Sequence, residues 1–122
     1  MKPAVKSIRP FVGSKDFQES KRFYERIGFI ENWAGHNMSF LGLGDFGFYL
    51  QDAYVRDWVD NTMLFLEVAD PDTFLAHLES LDLSVHFPKV RLSKMVINDW
   101  GREFFLHDPS GVLWHIGGFS RN

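Results

Sequence analysis

His115, Arg9, Tyr49, Trp33 and Trp100 are the residues of this 122-residue chain whose chemistry reaches beyond packing. An imidazole, with an ordinary pKa of about 6.5, can serve as a general base or can simply hydrogen-bond a neighbour or a ligand. A guanidinium such as Arg9 can clamp a carboxylate or phosphate, or it can pair within the chain, with Glu67 as the candidate partner. An indole can stack on a flat ring without precise hydrogen bonds, or it can fill a core or an interface. The other histidines, His36, His77, His86 and His107, show no metal-ligand spacing. His107 and His115 lie either side of a turn and do not face one another in a simple hairpin. The chain has no cysteine, which removes disulfides, thiolate nucleophiles and Cys-liganded metals. It also lacks a phosphate-cradling glycine loop and a nucleophile elbow.

Positioning these groups falls to a repeated unit. Phe11 to Phe29 and Phe65 to Leu83 match at a constant offset of 54, with Asp16 on Asp70, Tyr24 on Leu78, Glu25 on Glu79 and Ile27 on Leu81. Each copy holds one helix. Asp16 caps the first, with Glu19 completing a capping box and Gly28 stopping it; Asp70 caps the second, with Pro71 in its first turn. Strands are expected at Ile8 to Val12, Met38 to Leu43, Phe46 to Gln51, Leu64 to Val68, Phe104 to His107 and Val112 to Gly117. Gly44-Asp45 and Asp108-Pro109-Ser110-Gly111 make the turns. The pattern is βαβββ written twice in one α+β domain, residues 1–122, with modules at about 5–52 and 62–119.

Alternation along each strand sorts the side chains. One face carries Ile8, Pro10 and Val12, then Phe46, Phe48 and Leu50, then Leu64, Leu66 and Val68, then Val112, Trp114 and Ile116, and it must cover the helices. The other carries Arg9, Phe11, Tyr49, Met63, Phe65 and His115. A curved sheet with that face concave is a cup of mostly apolar lining with a few polar groups, as small-molecule sites are. The 13 Phe, 4 Trp and 3 Tyr are more than one small core needs, so some are expected in the cup. Trp58, in the acidic connection Tyr54 to Asp60, can form a lid or an interface. A net charge of −3 with no basic stripe argues against nucleic acid as a partner. No apolar run is long enough to span a bilayer, and Met1 to Ile8 has no signal-like core, so a cytoplasmic protein without membrane attachment is the expectation.

The stretch Val12 to Phe29, with its Asp…Ser…Phe-Tyr…Gly-Phe spacing, and the turn Asp108-Pro109-Ser110-Gly111 resemble the glyoxalase/bleomycin-resistance/dioxygenase (vicinal oxygen chelate) superfamily from about Ser7 to Phe119. The resemblance implies two βαβββ modules as cup-shaped half-barrels, and a homodimer with ligand sites near the interface. It also implies that the metal-ligand positions of the family's enzymes fall on Arg9, Tyr49, Met63 and His115. A charged guanidinium cannot ligate and a thioether suits few catalytic metals, so no metal and no other cofactor is expected.

Within the superfamily the chain is most similar to the bleomycin-resistance proteins, through Asp99-Trp100-Gly101 and Gly28 to Trp33. That likeness implies a non-catalytic binder of a planar aromatic or heteroaromatic, drug-like compound. Trp33 and Trp100 would sandwich it, with Tyr49, Phe65, Arg9 and His115 in the cup and no catalytic residue. The alternative is a lyase, isomerase or dioxygenase of the superfamily acting on a small oxygenated metabolite.

Overall fold

The computed structural model describes residues 2–120; Met1, Arg121 and Asn122, the ends of the expected 1–122 domain, lie outside the described residues. Phe11–Gly13 (β1) is followed by a helix at Phe17–Ile27 (α1) and three strands, Ile30–Ala34 (β2), Met38–Leu43 (β3) and Phe46–Gln51 (β4). A short helix, Arg56–Asp60 (α2), leads to Met63–Glu67 (β5), Pro71–Glu79 (α3) and one turn at Leu83–His86 (α4). Arg91–Leu92 (β6), Val96–Asn98 (β7), Gly101–His107 (β8) and Leu113–Phe119 (β9) complete the chain. The first sheet runs β1-β4-β3-β2. The second runs β5-β9-β8, with β6 and β7 both pairing with β8 as one interrupted strand. Two βαβββ modules therefore follow one another, each with its first strand parallel to its last: Phe11 opposite Tyr49, and Phe65 opposite His115.

The helices begin and end for local reasons. The Asp16 carboxylate accepts the Glu19 N–H at 3.1 Å, and Gly28, at φ 124°, takes the left-handed turn that ends α1. In α3, Asp70 accepts from the Thr73 N–H and hydroxyl at 3.2 and 2.7 Å, with Pro71 in the first turn.

Helix-side residues of both sheets meet in one core. Tyr24, Phe29, Phe48 and Trp114 touch in all six pairs, with ring centroids 4.9–5.9 Å apart, and so join the modules. At its centre the Tyr24 hydroxyl donates to Asp108 Oδ2 at 2.6 Å and accepts the Trp114 indole N–H at 2.9 Å. Asp108 Oδ1 accepts the N–H groups of Ser110, Gly111 and Val112, each at 2.9 Å. The Asp-Pro-x-Gly turn is thus bolted to the first helix.

Three expectations need correction. The first strand does not reach back to Ile8, which is 91% exposed. Pro10 has no N–H for a ladder, so pairing starts with its carbonyl, which accepts from Tyr49 N at 2.9 Å. Ile8 and Pro10 therefore cover no helix. Phe46, at the hairpin tip, is 79% exposed and has also left the core. Leu64, Leu66 and Val68 are only half-buried, because β5 is an edge strand beside an open cleft of about 660 Å3 that Phe29, Phe46 and Phe48 also line. Among the described residues no helix is long and apolar enough to cross a membrane.

One polar cluster ties β2 to α1. Lys21 Nζ lies 2.7 Å from Glu31 Oε2, and the Ser39 hydroxyl donates to the same oxygen at 2.6 Å. These bonds, Lys21 first, hold the Glu31 carboxyl below its ordinary value. A depressed carboxyl contributes stability above its ordinary pKa and loses it as pH falls. Glu31→Gln should therefore lower stability by about 1 kcal/mol at neutral pH and by nothing measurable once Glu31 is protonated. Urea melts of both proteins at a series of pH values from 7 down through the acid range check this.

Candidate functional site

The strand faces turned away from the shared core carry the candidate residues. They form two aromatic platforms, one on each sheet. On the first, Phe11 stacks on Tyr49 at 5.1 Å, Phe40 meets Tyr49 at 5.2 Å, and Trp33 meets it edge-on at 6.4 Å. Arg9 lies over this group: its guanidinium sits 4.2 Å from the Phe40 ring centroid and donates to the Tyr49 hydroxyl at 2.9 Å. The suggested pairing of Arg9 with Glu67 is not made. Arg9 precedes β1 in the first sheet and Glu67 ends β5 in the second, and the rings beside Arg9 offer the nearer partner. Gly47 makes room for this platform, since a Cβ there would fall 2.5 Å from the Phe40 ring.

On the second sheet Trp100, Phe65 and Phe119 touch one another, with centroids 5.2–6.0 Å apart. Trp33 and Trp100 are 50% and 38% exposed, so neither indole is core. Trp114, by contrast, is buried as its strand parity requires. Within one chain the structure brings Arg9, Tyr49 and Trp33 together, and Phe65 with Trp100, but no aromatic contact links the two platforms. Trp58 projects from α2 into solvent, 74% exposed.

His115 stands beside the second platform, edge-to-face with Phe105 at 5.1 Å. Its Nδ1 is 2.9 Å from Glu103 Oε1, and Glu103 Oε2 accepts from the Asn98 side-chain amide at 3.1 Å. The imidazole is thus oriented by a half-buried carboxylate that sequence reasoning missed, as it missed Phe40, Phe119 and Asn98. A signal existed: the Asp108–Gly111 turn pairs Phe105 with His115 and so puts Glu103, two residues back, on the same face. Gly117, opposite Glu103, leaves the space, because a Cβ there would lie 2.9 Å from Glu103 Cβ and 2.5 Å from the Arg102 carbonyl. Gly117→Ala should cost about 1–3 kcal/mol by overpacking. It should also separate the imidazole from Glu103, read as a shift of the His115 ring protons in NMR while those of His36 stay put.

The four positions that would hold a metal in the superfamily's enzymes do not fit one. Arg9 is a cation already engaged with Tyr49, Met63 is an exposed thioether on an edge strand, and His115 is the single good ligand. Among the described residues no group of three or more His, Asp or Glu is gathered for an ion.

No protein-family model matches the chain, and no curated protein matches it by sequence. Solved structures do match it by shape. One is the bleomycin-binding protein of bleomycin-producing Streptomyces verticillus, in complex with copper(II)-bleomycin: 22% identity over 95% of this chain and 99% of that one, TM-score 0.78. A bleomycin resistance determinant encoded on transposon Tn5 matches at 22% identity over 96% and 100% of the two chains, TM-score 0.80. The lactoylglutathione lyase of Agrobacterium tumefaciens matches at 14% over 95% and 96%, TM-score 0.72. The chain thus has the two-module βαβββ fold on which bleomycin-binding proteins and glyoxalase-type lyases are both built.

Proposed function

We propose that this protein binds a planar aromatic or heteroaromatic compound without transforming it, in the manner of a drug-sequestering protein. The observation that carries the reading is the pair of exposed indoles, Trp33 and Trp100, each on its own aromatic platform outside the core. Solvent-exposed aromatic surface of this kind marks a binding face. The platforms belong to different sheets of one chain, so a sandwich between them calls for a homodimer in which one protomer's first sheet faces its partner's second. The exposure of Phe11, Phe46, Met63 and Phe119 supports that association. Arg9, Tyr49, Phe65 and His115 would flank the ligand, and the bleomycin-binding protein of the same fold supplies the first compound to try.

The test is a tryptophan-fluorescence titration with metal-free bleomycin. Saturable quenching that disappears in Trp33→Ala and Trp100→Ala, and persists in Trp58→Ala, is the expected result. Quenching that survives both platform substitutions would overturn the stacking role. A second reading, a metal-free acid–base enzyme, has one observation in its favour: the Glu103–His115 pair, a base held by an orienting carboxylate. Turnover of an added glyoxalase-type substrate that His115→Gln abolishes would favour that reading over the first.

A further inference from the structure

Beyond Phe105, the second sheet carries a separate recess that neither platform uses. It encloses about 340 Å3 and is lined by Arg91, Leu92, Ser93, Phe105, His107 and Leu113. Its floor is one cross-strand row, with His107 opposite Leu113 on β9 and opposite Arg91 on β6. Leu92, Phe105 and Leu113 make the apolar walls, and beside the neutral Ser93 the polar groups are the cationic Arg91 and the cation-capable His107. Arg91 makes no salt bridge among the described residues. Asp108, next to His107, turns inward and commits both oxygens to Tyr24 and three backbone N–H groups, so it neutralises nothing here. Burial first, and the Arg91 charge second, push the His107 imidazole below its ordinary value. The surrounding sequence agrees: an acidic chain of net charge −3 runs from Asp82 to Asp99 without one acid between, yet places Lys89, Arg91 and Lys94 there.

The geometry points to an anion subsite: the Arg91–His107 recess receives the carboxylate of a small apolar acid, whose hydrocarbon body rests on Phe105 and Leu113. A guanidinium fork matches a carboxylate bidentately, and the apolar side chains beside it give the hydrocarbon body its contact surface. A single carboxylate suits one permanent cation set among Leu92, Phe105 and Leu113, whereas a phosphate dianion would be left under-neutralised and poorly solvated. The inference rests on the outward strand faces being the ligand-binding side, as proposed above.

The probes are naphthalene-2-carboxylate, its neutral carboxamide and inorganic phosphate, followed by NMR on the full-length protein. The carboxylate should bind about tenfold more tightly than the carboxamide, as a charge-assisted hydrogen bond implies, with the largest amide shifts at Ser93, Phe105 and His107. Arg91→Ala should erase that preference, and Arg91→Lys should keep part of it; Arg91 is exposed on a two-residue edge strand, so neither change threatens folding. Equal affinity for the two naphthalenes, a preference that survives Arg91→Ala, or shifts confined to Trp33 and Trp100 would overturn the subsite. Phosphate shifting the same amides as strongly as the carboxylate would overturn its assignment to an apolar acid. Bleomycin quenching retained alongside any of these failures leaves the stacking reading standing. An Arg91-dependent carboxylate with no bleomycin quenching removes bleomycin as the platform ligand and keeps the subsite.

Discussion

Asp108→Ala should destabilise the protein by about 3–5 kcal/mol, the largest effect of any single substitution proposed for this chain. The carboxylate is 1% exposed and holds four hydrogen bonds at 2.6–2.9 Å. Its removal orphans the Ser110 and Val112 N–H groups, leaves Gly111 only the Asp108 carbonyl at 3.1 Å, and leaves the buried Tyr24 hydroxyl without an acceptor, each orphaned group at a cost of about 1–3 kcal/mol before relaxation. Burial pushes the Tyr24 hydroxyl well above its ordinary value, as does the Asp108 charge, so the phenol stays a neutral donor. Burial likewise raises the Asp108 carboxyl, against the pull of those hydrogen bonds. Tyr24→Phe should cost less, about 1–2 kcal/mol, since the turn N–H groups keep their acceptor. Thermal and urea melts of both single variants and the double close the cycle, and Tyr24→Phe should cost less once Asp108 is gone, since the Trp114 N–H bond is then all that it removes. If Asp108→Ala cost under about 1 kcal/mol, the turn would not be what joins the modules. The functional consequence is positional: this network spans α1 of one module and β9 of the other, so it sets how the two cup faces are held.

Trp100→Ala should weaken binding of a stacked planar ligand by about 5- to 150-fold, from about 1–3 kcal/mol per stacked ring. Trp100 is braced by Phe65 and Phe119 at 6.0 and 5.2 Å, so its ring is already oriented and little rotamer freedom is lost on binding. Trp33 is more exposed and has one edge contact, to Tyr49, so Trp33→Ala should cost somewhat less. Trp100→Phe should retain part of the affinity, and Phe119→Ala should lose part of it with Trp100 still present. Both platforms lie outside the core, so none of these variants should lower the melting temperature by more than a few degrees, roughly the effect of 1 kcal/mol. Calorimetric titration of the ligand beside thermal melts separates the two effects. A Trp100→Ala protein that binds as tightly as the parent removes stacking from the mechanism.

Much of this molecule could be read from local chemistry. Caps at Asp16 and Asp70, the stop at Gly28 and the Asp-Pro-x-Gly turn are contacts within a few residues, so their sequence signatures suffice. Strand alternation separated Phe48, Leu50, Trp114 and Ile116 from Phe11, Tyr49, Phe65 and His115, because a pleat leaves each residue only one face. It failed at Ile8 and Phe46, where the strand or its cover ends. Parity assigns a face but does not say whether anything lies against it.

Two βαβββ units, the apolar face of each strand and the residues on its outward face follow from local pattern alone. Which of those residues meet is set by long-range packing. Arg9 stacks on Phe40 instead of pairing with Glu67, because the two copies of the repeat end in different sheets. Glu103 becomes the partner of His115, and Arg91 the neighbour of His107, through hairpin and edge-strand registers set by hydrogen bonds between segments distant in the chain. Those registers depend on loop lengths and on small residues such as Gly117, where the absence of a Cβ is what lets two strands place a carboxylate beside an imidazole.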